Sequence, residues 1–266
     1  MAFQVMGVTA GRKDSNCEIL LKEALLACRE QGAEVRMINL KDYELLDCNG
    51  CTACTMGMSM GKNTGCSLAD KDDKQKIMDV MLEQDAVIFS APTYDLMPSS
   101  LFLKFMHRNL AYESAFLTKI GAIAPRDRVG ALIAVGGSTR SWQSMALECM
   151  QATTFTNSFK IVDMYMATQV PAPAQVLLYE EKVARVREMG LNVMKALNTP
   201  PAERKWLGDP DYGWPQLPLQ RPVPGRAPVE GAAVPHRVRG VRRGRHPGAD
   251  RGRALEICHR RERAGA

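Results

Sequence analysis

The sequence predicts an α/β protein in which helices cover both faces of a five-stranded parallel sheet. Short apolar runs alternate with helical patterns through roughly the first two hundred of its 266 residues. Residues 85–92 form a nearly continuous apolar run ending in Pro92, as is typical of a central parallel strand. Strands that alternate with helices pair in parallel, so we expect the doubly wound order 2-1-3-4-5. In that order, ligands bind beyond the carboxyl ends of strands 1, 3 and 4.

Five segments have the pattern of a strand. One alternates between polar and apolar side chains, and the others are short apolar runs; the fourth ends on Gly136 and Gly137. The predicted strands cover residues 3–8, 34–40, 85–92, 129–137 and 160–167.

A helical pattern follows each strand. In the first, apolar side chains recur every 3.6 residues until Gly32 ends the pattern. The second has acidic residues in its first turn, where the helix dipole favours them, and Pro98 suits the first turn of the third. The predicted helices cover residues 16–33, 70–84, 98–110, 141–154 and 173–197.

The periodic pattern stops near Thr199. We therefore predict one domain over residues 1–198 and an irregular, disordered tail rich in Arg, Pro and Gly over 199–266. From Pro215 onward there are twelve Arg and four acidic residues, whereas 23 basic and 25 acidic residues precede it. The basic character thus belongs to the tail. It lacks the lysines and interleaved aromatic residues of a nucleic-acid site, so we expect no nucleic-acid partner; an out-of-frame coding end would give a similar composition.

The cysteines indicate metal or redox chemistry. The N-terminus lacks a signal-peptide pattern, and no apolar run is long enough to cross a bilayer. We therefore expect a cytoplasmic protein with no membrane partner. In that reducing compartment, eight cysteines favour metal binding or redox use over a disulfide framework.

The loop after the first strand has the composition of a phosphate site. Hydroxyl groups, an arginine and the free N–H groups of a helix start are the usual ligands of phosphate. The loop lacks both the G-x-G-x-x-G spacing and the Walker lysine. Its candidate binding residues are Thr9, Gly11, Arg12, Ser15, Asn16 and Cys17.

Two further loops lie at the predicted carboxyl edge of the sheet. The loop after strand 3 offers a hydroxyl, an aromatic ring and turn amides, and the paired glycines after strand 4 let backbone approach a flat ligand. Together the three loops outline one crevice. The candidates in the second and third loops are Pro92, Thr93, Tyr94, Asp95, Leu96, Gly136, Gly137 and Ser138.

Four cysteines after strand 2, within residues 48–66, are candidate metal ligands: Cys48, Cys51, Cys54 and Cys66. The first three follow a C-x2-C-x2-C spacing, which brings thiolates to three corners of an iron–sulfur cubane, and the fourth closes it. Zinc sites usually use two separated C-x2-C pairs. The spacing therefore favours a [4Fe–4S] cluster, with zinc-binding or free thiols as the alternatives. The predicted non-ligands are Cys17, Cys28, Cys149 and Cys258.

The order of these motifs over roughly residues 3–197 resembles the NADPH-dependent FMN reductase family of flavodoxin-like proteins, and within it the iron–sulfur flavoproteins. Family members open with G-S-x-R followed by S/G-N-T, have S-P-x-Y after strand 3 and a Gly-rich turn after strand 4. Here the second loop is Ala91–Tyr94 and the third contains Gly136 and Gly137. The matching first-loop residues are Gly7, Thr9, Arg12, Ser15, Asn16 and Cys17, the last replacing the usual Thr.

The resemblance implies bound FMN, with its phosphate on the first loop and its ring between the other two. It also implies an FMN-dependent oxidoreductase with a [4Fe–4S] cluster, moving electrons between NAD(P)H or a ferredoxin-like one-electron carrier and an acceptor, and a homo-oligomer. Because the flavin carries the reaction, we predict no catalytic acid or nucleophile. The alternatives are an NAD(P)H-dependent FMN or quinone reductase without a cluster, and a non-enzymatic zinc- or nucleic-acid-binding protein.

Overall fold

The computed structural model of the protein describes residues 2–210. Its strands are β1 (Gln4–Thr9), β2 (Glu34–Asn39), β3 (Ala86–Tyr94), β4 (Met97–Pro98), β5 (Val129–Val135) and β6 (Lys160–Ala167). Five of them form a parallel sheet in the order β2-β1-β3-β5-β6, and β4 pairs antiparallel with the end of β3. The predicted doubly wound order is confirmed, with β4 as an addition.

Helices cover both faces of the sheet. They are α1 (Asn16–Glu30), α2 (Ala53–Ser59), α3 (Lys74–Met81), α4 (Ser100–Met106), α5 (Ser114–Lys119), α6 (Ala146–Thr154) and α7 (Glu180–Leu197). Side chains of α1 and α7 form one apolar core, and those of α3, α4 and α6 form the other. Successive residues of β1 supply both, because Val5 belongs to the first core and Met6 to the second. Among residues 2–210, no helix has the length and apolar character needed to cross a membrane.

Several predicted boundaries were wrong in detail. Pro98 lies in β4 and not in the first turn of α4, because Asp95 and Leu96 have φ values of 48° and 72° and turn the chain back onto β3. The final helix begins at Glu180, since Tyr179 is extended. The short helices α2 and α5 were not predicted. The sixth helix starts at Ala146, after a separate 3-10 turn.

The chain that follows α7 packs against β6. The backbone N–H groups of Leu207 and Gly208 donate to the Val162 carbonyl at 2.8 and 3.2 Å. The Arg204 side chain donates to the carbonyls of Ala196, Thr199 and Asp127. Packing therefore extends about ten residues past the predicted domain end, and the rest of the predicted tail, 211–266, lies outside the described residues.

Candidate functional site

A crevice of about 280 Å³ lies at the carboxyl edge of the sheet. It is lined by the loops that follow β1, β5 and β6 and, at the second predicted loop, by Pro92–Tyr94, which the structure places at the end of β3. The lining residues are Gly11, Arg12, Ser15, Asn16, Cys17, Pro92, Thr93, Tyr94, Val135, Gly136, Gly137, Val170, Pro171 and Pro173. The structure thus brings together ten of the fourteen residues that the sequence indicated for a cofactor.

The other four predicted residues lie beside the crevice and shape its loops. Thr9 is buried, and its Oγ1 accepts a hydrogen bond from the Gly11 N–H at 3.1 Å. Asp95 and Leu96 form the turn between β3 and β4. The Ser138 carbonyl accepts from the Gln143 amide at 3.2 Å.

The start of α1 has the features of an anion site. Ser15 is the N-cap residue, and its Oγ is buried with no hydrogen-bond partner among the described residues. The first N–H groups of a helix also lack helical partners and favour negative charge. Arg12 is exposed at the same loop and makes no ion pair within residues 2–210. An orphaned hydroxyl, free amides and a cation in one crevice fit a phosphate group.

Cys17 lies beside these groups as a neutral thiol. Burial raises its pKa to about 12, so it carries no charge near pH 7. Its backbone carbonyl accepts a hydrogen bond from Ser90 Oγ at 2.9 Å. A neutral thiol in place of the family's threonine adds no repulsion toward a phosphate.

Asn16 ties the loop after β6 to the crevice. Its amide nitrogen donates to the carbonyls of Val170 and Ala172 at 2.8 and 2.9 Å, and its Oδ1 accepts from the Val176 N–H at 3.1 Å. These bonds fasten the loop after β6 to the first turn of α1. Sequence reasoning missed this loop, although the carboxyl end of the fifth parallel strand had to reach the same edge.

The two glycines after β5 are required by close packing. A Cβ on Gly136 would come within 2.5 Å of the Gln143 side chain, and one on Gly137 within 2.9 Å of Pro171. Gln143 Oε1 also accepts a hydrogen bond from Thr93 Oγ1 at 3.1 Å. The second, third and fourth loops are therefore fixed to one another around the crevice.

The four predicted metal ligands line a second cavity, of about 170 Å³. Cys48, Cys51, Cys54 and Cys66 surround it. His107 and Arg108, which follow α4, also contribute to its lining, and neither was singled out as a site residue from the sequence. No motif marks them, because they meet the cysteines only through the tertiary fold.

The long interval before Cys66 folds back on itself. Much of it forms α2, and Thr64 Oγ1 donates to the Ala53 carbonyl at 2.9 Å. The Lys62 N–H donates to the Gly57 carbonyl, also at 2.9 Å. These contacts return the chain to the start of α2, so that Cys66 reaches the cavity lined by Cys54.

The thiols have different surroundings. Cys66 Sγ accepts hydrogen bonds from both Nε and Nη2 of Arg108 at 3.4 Å. Cys51 Sγ lies 2.9 Å from Ser67 Oγ, and this hydrogen bond is the main reason why the pKa of Cys51 is below its usual value. Cys48 and Cys51 are exposed, and Cys54 and Cys66 are half-buried.

The four thiols have the ligand type and number of an iron–sulfur cluster, and equally of a four-cysteine zinc site. Within residues 2–210, no three His, Cys, Asp or Glu side chains are gathered to bind one metal ion. Zinc holds its sulfurs at about 2.3 Å from a single point, whereas a cubane distributes its cysteines over different irons. A shared cavity lined by four thiols can accommodate the second arrangement.

The two cavities are lined by chain segments that lie on either side of α4 in the sequence. Pro92–Tyr94, which line the crevice, precede this helix, whereas His107 and Arg108 follow it. No residue lines both.

Comparisons with known proteins agree with this geometry. Residues 5–171 match the model of the NADPH-dependent FMN reductase family. An iron–sulfur flavoprotein of Methanocaldococcus jannaschii is 31% identical over 147 residues, which is 55% of this chain and 68% of that protein. One from Methanosarcina thermophila is 26% identical over 148 residues, 55% of this chain and 70% of that protein.

Solved structures show the same fold. A flavone reductase superposes with a TM-score of 0.61 at 22% identity, covering 78% of this chain and 67% of the other. An NAD(P)H:quinone oxidoreductase from Methanothermobacter marburgensis gives 0.52 at 14% identity, covering 73% and 98%. The chain therefore belongs to the NADPH-dependent FMN reductase family, in its iron–sulfur flavoprotein branch, and is an FMN-dependent oxidoreductase.

Proposed function

We propose that this oxidoreductase carries a [4Fe–4S] cluster beside its FMN and moves electrons between NAD(P)H or a ferredoxin-like carrier and an acceptor. The proposed cluster ligands are Cys48, Cys51, Cys54 and Cys66. The observation that carries the proposal is that all four thiols line one cavity. A homo-oligomeric state and a cytoplasmic location remain predictions.

The crevice supports a definite orientation of FMN. The orphaned Ser15 hydroxyl, Arg12 and the first amides of α1 would hold the phosphate. The ring would then lie between the second and third loops, where Gly136 and Gly137 allow close backbone approach. Tyr94, the last residue of β3, and Trp142, in the turn after β5, are 58% and 62% exposed and offer flat surfaces for an aromatic reactant.

Two cofactors would let the protein accept electrons in pairs from one reactant and pass them singly to another. Bound FMN would supply hydride acceptance and single-electron release, and a bound cluster would supply one-electron transfer. The protein's part is to hold each group in its own cavity and to admit the reactants to the crevice. This division suits exchange between a two-electron donor and a one-electron carrier.

An anaerobic absorption spectrum with iron and sulfide assays tests the proposal. We expect the two visible bands of flavin with a broad brown shoulder, and about four irons and four sulfides per chain, the composition of the proposed cluster. After reconstitution with iron and sulfide, a flavin spectrum without iron would contradict it.

The second candidate is an NAD(P)H-dependent FMN or quinone reductase that uses no cluster. The exposure of Cys48 and Cys51 favours this alternative, because thiols open to solvent are less constrained as ligands. It predicts full NAD(P)H-dependent reductase activity in a protein that never binds iron. Family membership is incompatible with the non-enzymatic alternative.

A further inference from the structure

We propose that Arg108 is the positioning residue of the cysteine cavity: it holds the Cys66 sulfur in place and raises the reduction potential of the cluster. This inference rests on the proposed function, because it concerns the same four-cysteine site. It does not depend on which donor or acceptor the enzyme uses.

The placement of Arg108 is unusual for an arginine. It lies just past the end of α4, and only 1% of its side chain is exposed. A buried guanidinium is costly unless its charge and its N–H groups are satisfied. Such a side chain persists in a cavity wall because specific partners hold it there.

The partners of Arg108 come from three separate segments. Nη1 donates to the Asp72 carboxylate, which is equally buried, and to the Leu46 carbonyl at 3.2 Å. Nε and Nη2 both donate to Cys66 Sγ at 3.4 Å. One edge of the guanidinium is thus anchored in the protein, and the adjacent edge presents two N–H groups to a single sulfur.

Within residues 2–210, Cys66 is the only one of the four cysteines whose sulfur accepts hydrogen bonds from a guanidinium group. Cys51 meets a serine hydroxyl at 2.9 Å, and Cys54 lies 4.0 Å from the Thr55 hydroxyl. Cys66 is also the cysteine with the long spacing, so its position owes least to the C-x2-C-x2-C run. The guanidinium fork supplies the constraint that the local sequence does not.

The same contact has an electrostatic consequence. Each reduction of a cluster adds one negative charge, and hydrogen bonds to its sulfurs stabilise that charge. A fixed donor pair on Cys66 therefore favours the reduced state. Removing Arg108 should make the reduction potential more negative.

The test uses the full-length protein, purified anaerobically with FMN and cluster. Arg108→Lys keeps the charge but loses the fork, and Arg108→Gln combined with Asp72→Asn removes the ion pair without leaving a buried charge alone. Arg126→Gln is the matched control. Arg126 also forms an ion pair, with an Nη1–Oδ1 distance of 2.7 Å to Asp85, but this pair does not line the cysteine cavity. The measurements are iron and sulfide content, FMN content, potentiometric titration of the cluster, and the rate of iron loss to a chelator.

We expect both Arg108 variants to lower the potential by at least 59 mV, which is a tenfold change in a one-electron reduction equilibrium. Iron loss to the chelator should be at least tenfold faster, with Arg126→Gln unchanged. Loss of iron in a variant that keeps FMN and native circular dichroism supports the holding role.

An unchanged potential with full iron would overturn the inference alone. So would a variant that loses FMN and native circular dichroism as well, since Arg108 would then serve the fold as a whole. An unaltered protein that binds no iron after reconstitution would overturn the proposed cluster, and the role of Arg108 with it.

Discussion

The crevice and the cysteine cavity are built in different ways. The crevice is framed by the ends of four parallel strands, and its loops are tied together by Asn16 and Gln143. The cavity is lined mainly by the segment between β2 and α3, which contains only one α-helix, of seven residues, and is completed by residues that follow α4. Its walls meet at Arg108, which hydrogen-bonds three points of the chain.

The difference shows how two cofactor sites can depend on different parts of one fold. A site at a sheet edge inherits its geometry from strand register, so it is fixed before a ligand arrives. A site on an irregular segment depends on a few side-chain contacts and on the ligand itself. Changes in one should leave the other intact.

The largest expected effect is loss of the cluster from Cys66→Ser. Replacing this thiolate ligand should remove essentially all the iron and the brown absorbance, while FMN stays bound because Cys66 does not line the crevice. Cys149→Ser is the control, a half-buried cysteine outside the cavity, and should keep full iron. Iron and flavin assays on both variants decide the matter; a full complement of iron in Cys66→Ser would mean that the fourth ligand is assigned wrongly.

Arg12→Ala should weaken FMN binding and leave the cluster in place. Losing a charge-assisted hydrogen bond to phosphate should weaken FMN binding by about 1.5–3 kcal/mol, roughly a 10- to 150-fold rise in Kd. Fluorescence titration of the flavin-free protein measures this, and iron content should not change. Lys13→Ala, an exposed neighbour outside the crevice lining, serves as control. Equal affinities in the two variants would remove the phosphate assignment.

A smaller effect concerns Lys74, which is fully buried at the start of α3 and donates to the Phe105 carbonyl and Asn109 Oδ1. Burial and then the nearby Arg108 charge lower its pKa well below 10.5. Between its folded pKa and 10.5, the unfolded chain binds more protons, so the free energy of unfolding rises with pH there.

Urea unfolding of the metal-free protein between pH 7 and 9 checks this expectation. Lys74 should contribute a slope of up to about 1.4 kcal/mol per pH unit, and Lys74→Met should remove it. Lys76→Met, on the same helix but exposed, should keep it. The buried thiols of Cys17 and Cys28, whose pKa values burial raises to about 12, oppose this trend above about pH 8, because the unfolded chain loses their protons first. Lys74→Met keeps that opposing contribution, so the difference between the two slopes isolates Lys74. Identical slopes for the unaltered protein and Lys74→Met would contradict the expectation.

The smallest effect should follow removal of the chain after Pro215. That part of the sequence has no periodic apolar face, and the family match ends at residue 171. We expect FMN affinity, iron content and unfolding free energy to stay within about 0.5 kcal/mol of the full chain. An insoluble or colourless product would show that the segment supports one of the two sites.

The sequence was most informative where geometry follows from strand order. Parallel strands end at one edge, so loops with glycines and hydroxyls could be assigned to one crevice before any coordinates. The turn at Asp95 and Leu96 could not be foreseen, because leucine rarely adopts a positive φ. Arg108 was equally hidden, since its role depends on contacts with residues 36 to 62 positions away.

The short segment after α7 has a practical consequence for anyone preparing this protein. In the described sheet β6 is an outer strand, and Leu207 and Gly208 occupy its Val162 carbonyl. Asn192 on α7 donates hydrogen bonds to the buried Asp163 carboxylate and to the Leu207 carbonyl. A chain cut at the end of α7 would lose Leu207 and Gly208, and would leave the Val162 carbonyl and the neighbouring Asp163 open to solvent. Uncovered outer strands recruit strands from other molecules, so such a chain should aggregate during expression even though every cofactor residue is present.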